Sequence, residues 1–286
     1  MANHHFGKFA DVWKHLVLVE VLSREAPARY AETHAGSAAY PMVEDAERGF
    51  GVWRFLRTAP EHPALAGCRY LTVITPFLHR SRPLYPGSAL LAISVLGGNV
   101  AYLFCDLDGA SSADLQDWAR RVGAARCQVA RADGMTTTAR WLDESGPERA
   151  VVHVDPFDPH ARVEAGRSAL DLAADVVDRG HVLVYWYGYD EPARAGWAYG
   201  ALRELTGGDL WCGDAMVTDR SGAGTHGDLG AATTPGTGCG VVLGNVTSQT
   251  AAACTQLGHA LAAGYHGATL PSGKPGGIQF TAYGSP

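Results

Sequence analysis

The feature that most constrains this chain is a series of short apolar runs, each closed by a polar or glycine-containing turn and separated from the next by a helix-length segment. The runs are Tyr30-Ala31-Glu32 before Thr33-His34-Ala35-Gly36, Val100 to Cys105 before Asp106, Cys127 to Ala130 before Asp133-Gly134, Ala150 to Val154 before Asp155-Pro156, and His181 to Tyr187. Segments such as Ser112 to Val122 and Glu164 to Asp178 have the length and polarity of intervening helices. Strands alternating with helices predict an α/β fold with a mainly parallel sheet. A final strand is expected at Gly240 to Leu243, after a Gly/Thr-rich stretch from Ser221 to Gly238 that reads as a mobile loop.

Near the N-terminus, Val12, Leu16, Val19 and Leu22 are spaced by three and four, which predicts an amphipathic helix from Asp11 to Ser23 with Asp11 as its cap. Lys14 falls opposite that stripe, where a solvated lysine is the ordinary outcome. The segment from Tyr40 to about Tyr85 is proline-rich, with one expected helix around Phe50 to Leu56, and reads as a helical insertion on the sheet rather than a domain of its own. The 286 residues are therefore read as a single domain carrying an inserted subdomain at about 40–85.

Composition excludes several classes. With 47% apolar residues the chain can bury a core, so it is not disordered. No run of apolar residues is long enough to span a bilayer, and Met1 to Lys14 lacks the apolar segment of a signal peptide, so no membrane association and a cytoplasmic location are expected. The formal charge of −6 argues against a protein that grips nucleic acid over a broad surface. Six cysteines without CxxC spacing read as reduced thiols, and His4, His5 and His79 have no partner at ligand spacing, which argues against a zinc site.

In open α/β sheets ligands bind beyond the carboxyl ends of the strands, which directs attention to the residues that close the runs. His34-Ala35-Gly36-Ser37 is a small-residue turn that a ligand can approach closely. Asp106, Asp133 and Asp155 end three further strands, and a carboxylate there can accept both hydrogen bonds of a ribose diol. A single aspartate after a strand is more often a turn or helix cap. Four strand ends of the same kind describe a nucleoside pocket.

These blocks, taken in order, resemble the bacterial methyltransferases that modify N6 of an adenine in 23S ribosomal RNA. The resemblance is carried by His5-Phe6-Gly7-Lys8-Phe9-Ala10-Asp11-Val12-Trp13-Lys14-His15, Glu32-Thr33-His34-Ala35-Gly36, Tyr85-Pro86-Gly87-Ser88, Ala132-Asp133-Gly134, Val154-Asp155-Pro156 and Trp186-Tyr187, and spans most of the chain. It implies a Rossmann-like class I methyltransferase fold and S-adenosylmethionine (SAM) as cofactor. By that resemblance Lys14, His15, His34, Gly36 and Ser88 surround the methionine end of SAM, Asp106 holds the ribose, Asp133 with Gly134 meets the adenine, and Asp155 and Pro156 also bind the cofactor. Read without the resemblance, His15 and His34 are ordinary core or capping histidines, and about half of Tyr185, Trp186, Tyr187 and Tyr189 belong to the core.

The chain departs from that family at the catalytic block. The family's Asp-Pro-Pro-Tyr positions and stacks a flipped adenine, whereas here the residues are Asp155-Pro156-Phe157-Asp158. A carboxylate at the stacking position disfavours a nucleotide with its phosphates and supplies an acceptor or base for another nucleophile. Tyr187-Gly188 also replaces the family's usual Tyr-Pro in the opposite wall. The cofactor side is kept and the acceptor side is altered. The first reading is therefore a SAM-utilising transferase acting on a small molecule, with Asp155 or Asp158 as the catalytic carboxylate and Phe157, Trp186 and Tyr187 contacting substrate. Transfer of a methyl or another SAM-derived group, including a ring-closing displacement, fits that reading. The alternatives are adenine N6 methylation in 23S rRNA, with Phe157 stacking one position early, and a non-catalytic SAM-binding protein. The sequence does not indicate an oligomeric state.

Overall fold

The computed structural model describes residues 6–144, 146, 148–156, 167–224 and 237–284. Five strands, β1 (Arg29–Glu32), β4 (Ala101–Cys105), β5 (Cys127–Ala130), β6 (Ala150–Val154) and β7 (Val182–Tyr189), run parallel in the order β5-β4-β1-β6-β7. Beyond β7 the sheet turns antiparallel: β9 (Gly238–Gly244) sits between β7 and β8 (Leu210–Asp219), followed by β11 (Pro275–Tyr283) and the short β10 (Ala268–Thr269). Parallel strands joined by helices, with a late strand wedged antiparallel beside β7, make a Rossmann-like α/β sheet. The expected α/β class with a mainly parallel sheet is borne out.

The five parallel runs lie within two residues of their expected bounds; β4, β6 and β7, buried along most of their length, are continuous apolar runs bounded by turn residues. Helices α7 (Gly109–Arg121), α8 (Gly134–Glu144) and α9 (Ala169–Asp178) connect them. The antiparallel extension was missed: Gly240–Leu243 is not the last strand, since β10 and β11 follow helix α11 (Ser248–Tyr265). Strand β8 carries Gly213 and Asp214, and β11 carries Gly276, Gly277 and Gln279, so neither shows the apolar run or clean alternation that marks a strand in sequence. Most of the Gly/Thr-rich stretch read as a loop lies outside the described residues.

Helix α1 (Phe9–Glu25) corrects the amphipathic expectation. It lies between the sheet and an outer layer made of α5 (Arg69–Leu78), α6 (Ser88–Leu96) and α11, and is buried nearly all round. A helix covered on both sides has no solvent face, which is why Lys14 is buried instead of solvated. The helix also starts two residues before Asp11, so Asp11 is not its cap residue; it sits in the first turn and accepts the Gly7 N–H at 2.8 Å.

The segment read as an insertion leaves the sheet through β2 (Ala39–Pro41) and returns through β3 (Leu84–Pro86), which pair antiparallel with Tyr40 opposite Tyr85. Between them stand α2 (Ala46–Phe50), α3 (Val52–Thr58), α4 (Pro63–Ala66) and α5. Phe50, Val52, Phe55, Leu65, Tyr70 and Ile74 from this segment join the same apolar cluster as α1. A second cluster on the opposite sheet face is built from α8, α9 and α10 (Trp197–Leu205).

The first turn of α8 packs tightly on β1. A β-carbon built on Gly134 would lie 2.0 Å from the Thr33 carbonyl oxygen, with backbone rather than a flexible side chain in the way. Gly134→Ala is therefore expected to lower stability by about 3 kcal/mol or more, measured as the shift of the denaturant midpoint.

Candidate functional site

The strand ends meet at a small cavity of about 40 Å³ beneath the start of α1. Lys14, His15, His34, Gly36, Ser88 and Asp155, all expected at a ligand site, line it together. Phe6, Asp11, Tyr40 and Tyr85, which were not expected there, complete the wall with Ala35 and Gly87. A wider groove of about 490 Å³ runs between α7 and the outer strand β5, but it has neither carboxylate nor imidazole in its lining. Another groove of about 600 Å³ is lined by Tyr199, Arg203 and Asp209, but the buried cluster of lysine, carboxylates and histidines is in the small cavity.

Lys14 is the centre of that chemistry. Its Nζ lies 2.7 Å from Asp155 Oδ2 and 3.0 Å from Asp11 Oδ1, and 5.5 Å from the centre of the Trp186 ring. Burial alone would push the ammonium's pKa down, but the two carboxylates override it and raise it above the ordinary lysine value. Burial likewise pushes Asp155 up, and Lys14, with His153 and His34, overrides this and holds it below the ordinary aspartate value. For Asp11 burial wins over Lys14 and the carboxyl is raised. Asp155 is thus the ionised partner of the pair.

Both cavity histidines, His15 and His34, have lowered pKa values. His15 Nδ1 is 2.9 Å from the Tyr85 hydroxyl, which in turn lies 2.9 Å from that of Tyr70, and burial together with Lys14 and His153 pushes the His15 imidazole well below its ordinary value. His34 Nδ1 is 2.8 Å from Thr33 Oγ1, and burial lowers its pKa despite the surrounding carboxylates.

The loop after β1 is shaped by Gly36. At φ +61° it adopts a left-handed turn, and the Tyr40 hydroxyl stands 2.5 Å from where a β-carbon would be, so a side chain is excluded on both counts. Its N–H donates to Asp106 Oδ2 at 2.8 Å, while the other oxygen of Asp106 accepts the Asp108 N–H at 2.7 Å. Asp106 therefore organises the rim, and each oxygen keeps lone-pair capacity for a further donor.

Other expected site residues are placed elsewhere. Asp133 accepts the Thr136 N–H at 2.7 Å at the start of α8, and neither it nor Gly134 lines the cavity. Pro156 is buried directly after β6. Phe157 and Asp158 lie outside the described residues. Tyr187 requires a correction as a substrate contact: alternation along β7 puts it on the face opposite Trp186, where it is buried and its hydroxyl donates to Asp214 at 2.7 Å. Trp186 alone of the two faces Lys14.

The residue most thoroughly missed is Glu32. It is fully buried at the end of β1, accepts the Tyr30 hydroxyl at 3.0 Å and the Ser88 hydroxyl, and lies 3.0 Å from His153 Nδ1. His153 is itself fully buried, and its Nε2 has no hydrogen-bond partner among the described residues. The available sequence signal was a charged residue inside a central strand, where a carboxylate is tolerated only with dedicated partners.

No protein-family model and no curated protein matches the chain. Among solved structures it is similar to protein LPL1258 from Legionella pneumophila, described with the family model DUF519, at 19% identity and TM-score 0.74, over 98% of each chain. It is also matched to a SAM-dependent methyltransferase from Agrobacterium tumefaciens (13% identity, TM-score 0.44, 86% of this chain and 66% of that one). A further match is an rRNA methylase from Streptococcus thermophilus (14% identity, TM-score 0.37, 82% and 95%). The Legionella likeness extends over the whole fold, the 40–85 segment included. Among the described residues no helix is long and apolar enough to cross a membrane.

Removing the buried cation tests the electrostatics. Lys14→Met leaves two buried carboxylates facing each other and is expected to destabilise the protein by about 3–5 kcal/mol at neutral pH. In the native chain the contribution of the depressed Asp155 is complete above the ordinary aspartate pKa and lost as pH falls through the lowered value. In the variant, burial without a cation raises both carboxyls, and acidification relieves their penalty. The gap between the two proteins in urea denaturation should therefore narrow below about pH 4.

Proposed function

We propose that the chain is a SAM-dependent transferase whose acceptor is a small molecule. The observation that carries the cofactor reading is the buried Asp11–Lys14–Asp155 cluster at the strand ends, in which two carboxylates face one cation. Asp155, held ionised beside Lys14, and Asp106 next to Gly36 are carboxylates suited to a ligand with positive groups, as SAM is through its sulfonium and ammonium. Gly36 allows close approach to the backbone, and Asp106 can accept from ribose hydroxyls. The residues present fit the group. Lys14, His15, His34, Gly36 and Ser88 would hold its methionine end, with Asp106 on the ribose and Asp133 and Gly134 toward the adenine.

When bound, SAM supplies an electrophilic carbon on sulfur, so the chain's task is alignment more than activation. Asp155, kept ionised by Lys14, accepts a hydrogen bond from an N–H or O–H nucleophile and orients it. Trp186, packed beside Lys14, supplies an apolar wall. The small acceptor is supported by Asp158 where the resembling family stacks an aromatic on a flipped base, and by the chain's charge of −6. Methyl transfer and a ring-closing displacement of another SAM-derived group both suit this arrangement.

The protein is expected to bind SAM or S-adenosylhomocysteine with micromolar affinity in isothermal titration, about −8 kcal/mol, and Asp106→Ala is expected to weaken this by roughly 1–3 kcal/mol. With tritiated methyl-SAM and unmodified 23S rRNA at low salt, no label is expected in the RNA. Catalytic labelling of one rRNA adenine would replace the small-molecule acceptor by RNA. Asp155→Asn should abolish turnover of the acceptor in an assay with SAM saturating.

A further inference from the structure

Glu32 does not line the cavity, yet it determines what one of the cavity's walls can do. Three groups converge on its buried carboxylate: the hydroxyls of Tyr30 and Ser88 both donate to it, and His153 Nδ1 is at 3.0 Å. A hydroxyl has one proton. The Ser88 proton is spent on Glu32, so Ser88 Oγ offers only lone pairs to the cavity it lines.

Two carboxylates of the same wall add to these lone pairs. Asp155 and Asp11 are acceptors by nature, and two of the three Lys14 N–H groups already point at them.

We propose that Glu32 is a specificity-determining positioning residue: by fixing the direction of the Ser88 hydroxyl it makes this end of the site select a primary ammonium group over an uncharged or non-donating group. The inference rests on the SAM reading above and deepens it. An ammonium brings three donors to a wall of acceptors, whereas a ligand without it leaves buried lone pairs unanswered. Glutamine at position 32 carries an amide N–H₂ that can donate to Ser88 Oγ, which frees the hydroxyl proton to turn toward the cavity and removes the selection.

The test compares S-adenosylhomocysteine with its deamino analogue, which lacks only the α-amino group, by isothermal titration. The native protein is expected to prefer the amine-bearing ligand at least tenfold. Glu32→Gln should reduce that preference about tenfold while the affinity for the deamino analogue stays within twofold. Ser88→Ala should reduce the preference similarly without touching Glu32, so the test stands even if the Glu32 variant does not fold. A parallel loss of affinity for both ligands in Glu32→Gln would make Glu32 merely structural and overturn the proposal, as would full preference retained in Ser88→Ala. Failure of the native protein to bind either ligand would instead remove the SAM reading on which the proposal rests, a result distinct from the other two.

Discussion

The ion pair between Lys14 and Asp155 ties the first helix to the centre of the sheet. Lys14 comes from α1 and Asp155 from the residue after β6, so the contact joins elements 141 residues apart and fixes how the helix sits over the strand ends. Taking both charges out of water is expensive, and the arrangement is tolerable only because Asp11 adds a second acceptor and Trp186 covers the ammonium. Lys14 lowers the pKa of Asp155 against the effect of burial, and adds to burial in lowering that of His15. Asp155 is held ionised, His15 is held neutral, and the wall takes on a surplus of acceptors.

Burial of α1 makes that pair possible. Were the helix a surface element, Lys14 and Asp155 would be screened and weakly coupled. Covering α1 with α5, α6 and α11 removes the solvent that would screen them, and the 40–85 segment contributes part of that cover through Phe50, Phe55 and Tyr70. The same segment delivers Tyr40 and Tyr85 to the cavity wall through its paired strands. Its location in the chain, between the first two strands of the sheet, therefore affects both the core and the site.

The parallel half of the fold was legible in the sequence because strands buried on both faces are unbroken apolar runs, as at Ala150–Val154. The antiparallel half was not: Asp214 in β8 has no apolar signature and is explained only by the Tyr187 and Tyr189 hydroxyls that donate to it from β7 across β9. The site shows the same division. Residues that end strands, such as His34, Gly36 and Asp155, were identifiable from position, and Lys14 and Ser88 from the resemblance of short blocks. Glu32 escaped notice because its role depends on partners at positions 30, 88 and 153 that only the folded sheet brings together. Tyr187 was misplaced for the converse reason, since adjacent aromatics on a strand face opposite ways and sequence alone does not say which faces the cavity.

The closeness of Tyr40 to Gly36 joins the wall of the site to the 40–85 segment. The Tyr40 hydroxyl accepts the Ser37 N–H at 2.9 Å, and Tyr40 itself pairs with Tyr85 across β2 and β3. One hydrogen bond thus makes the shape of the turn after β1 answer to two strands outside the main sheet, so a change in how that segment packs is transmitted to the cavity through a single side chain.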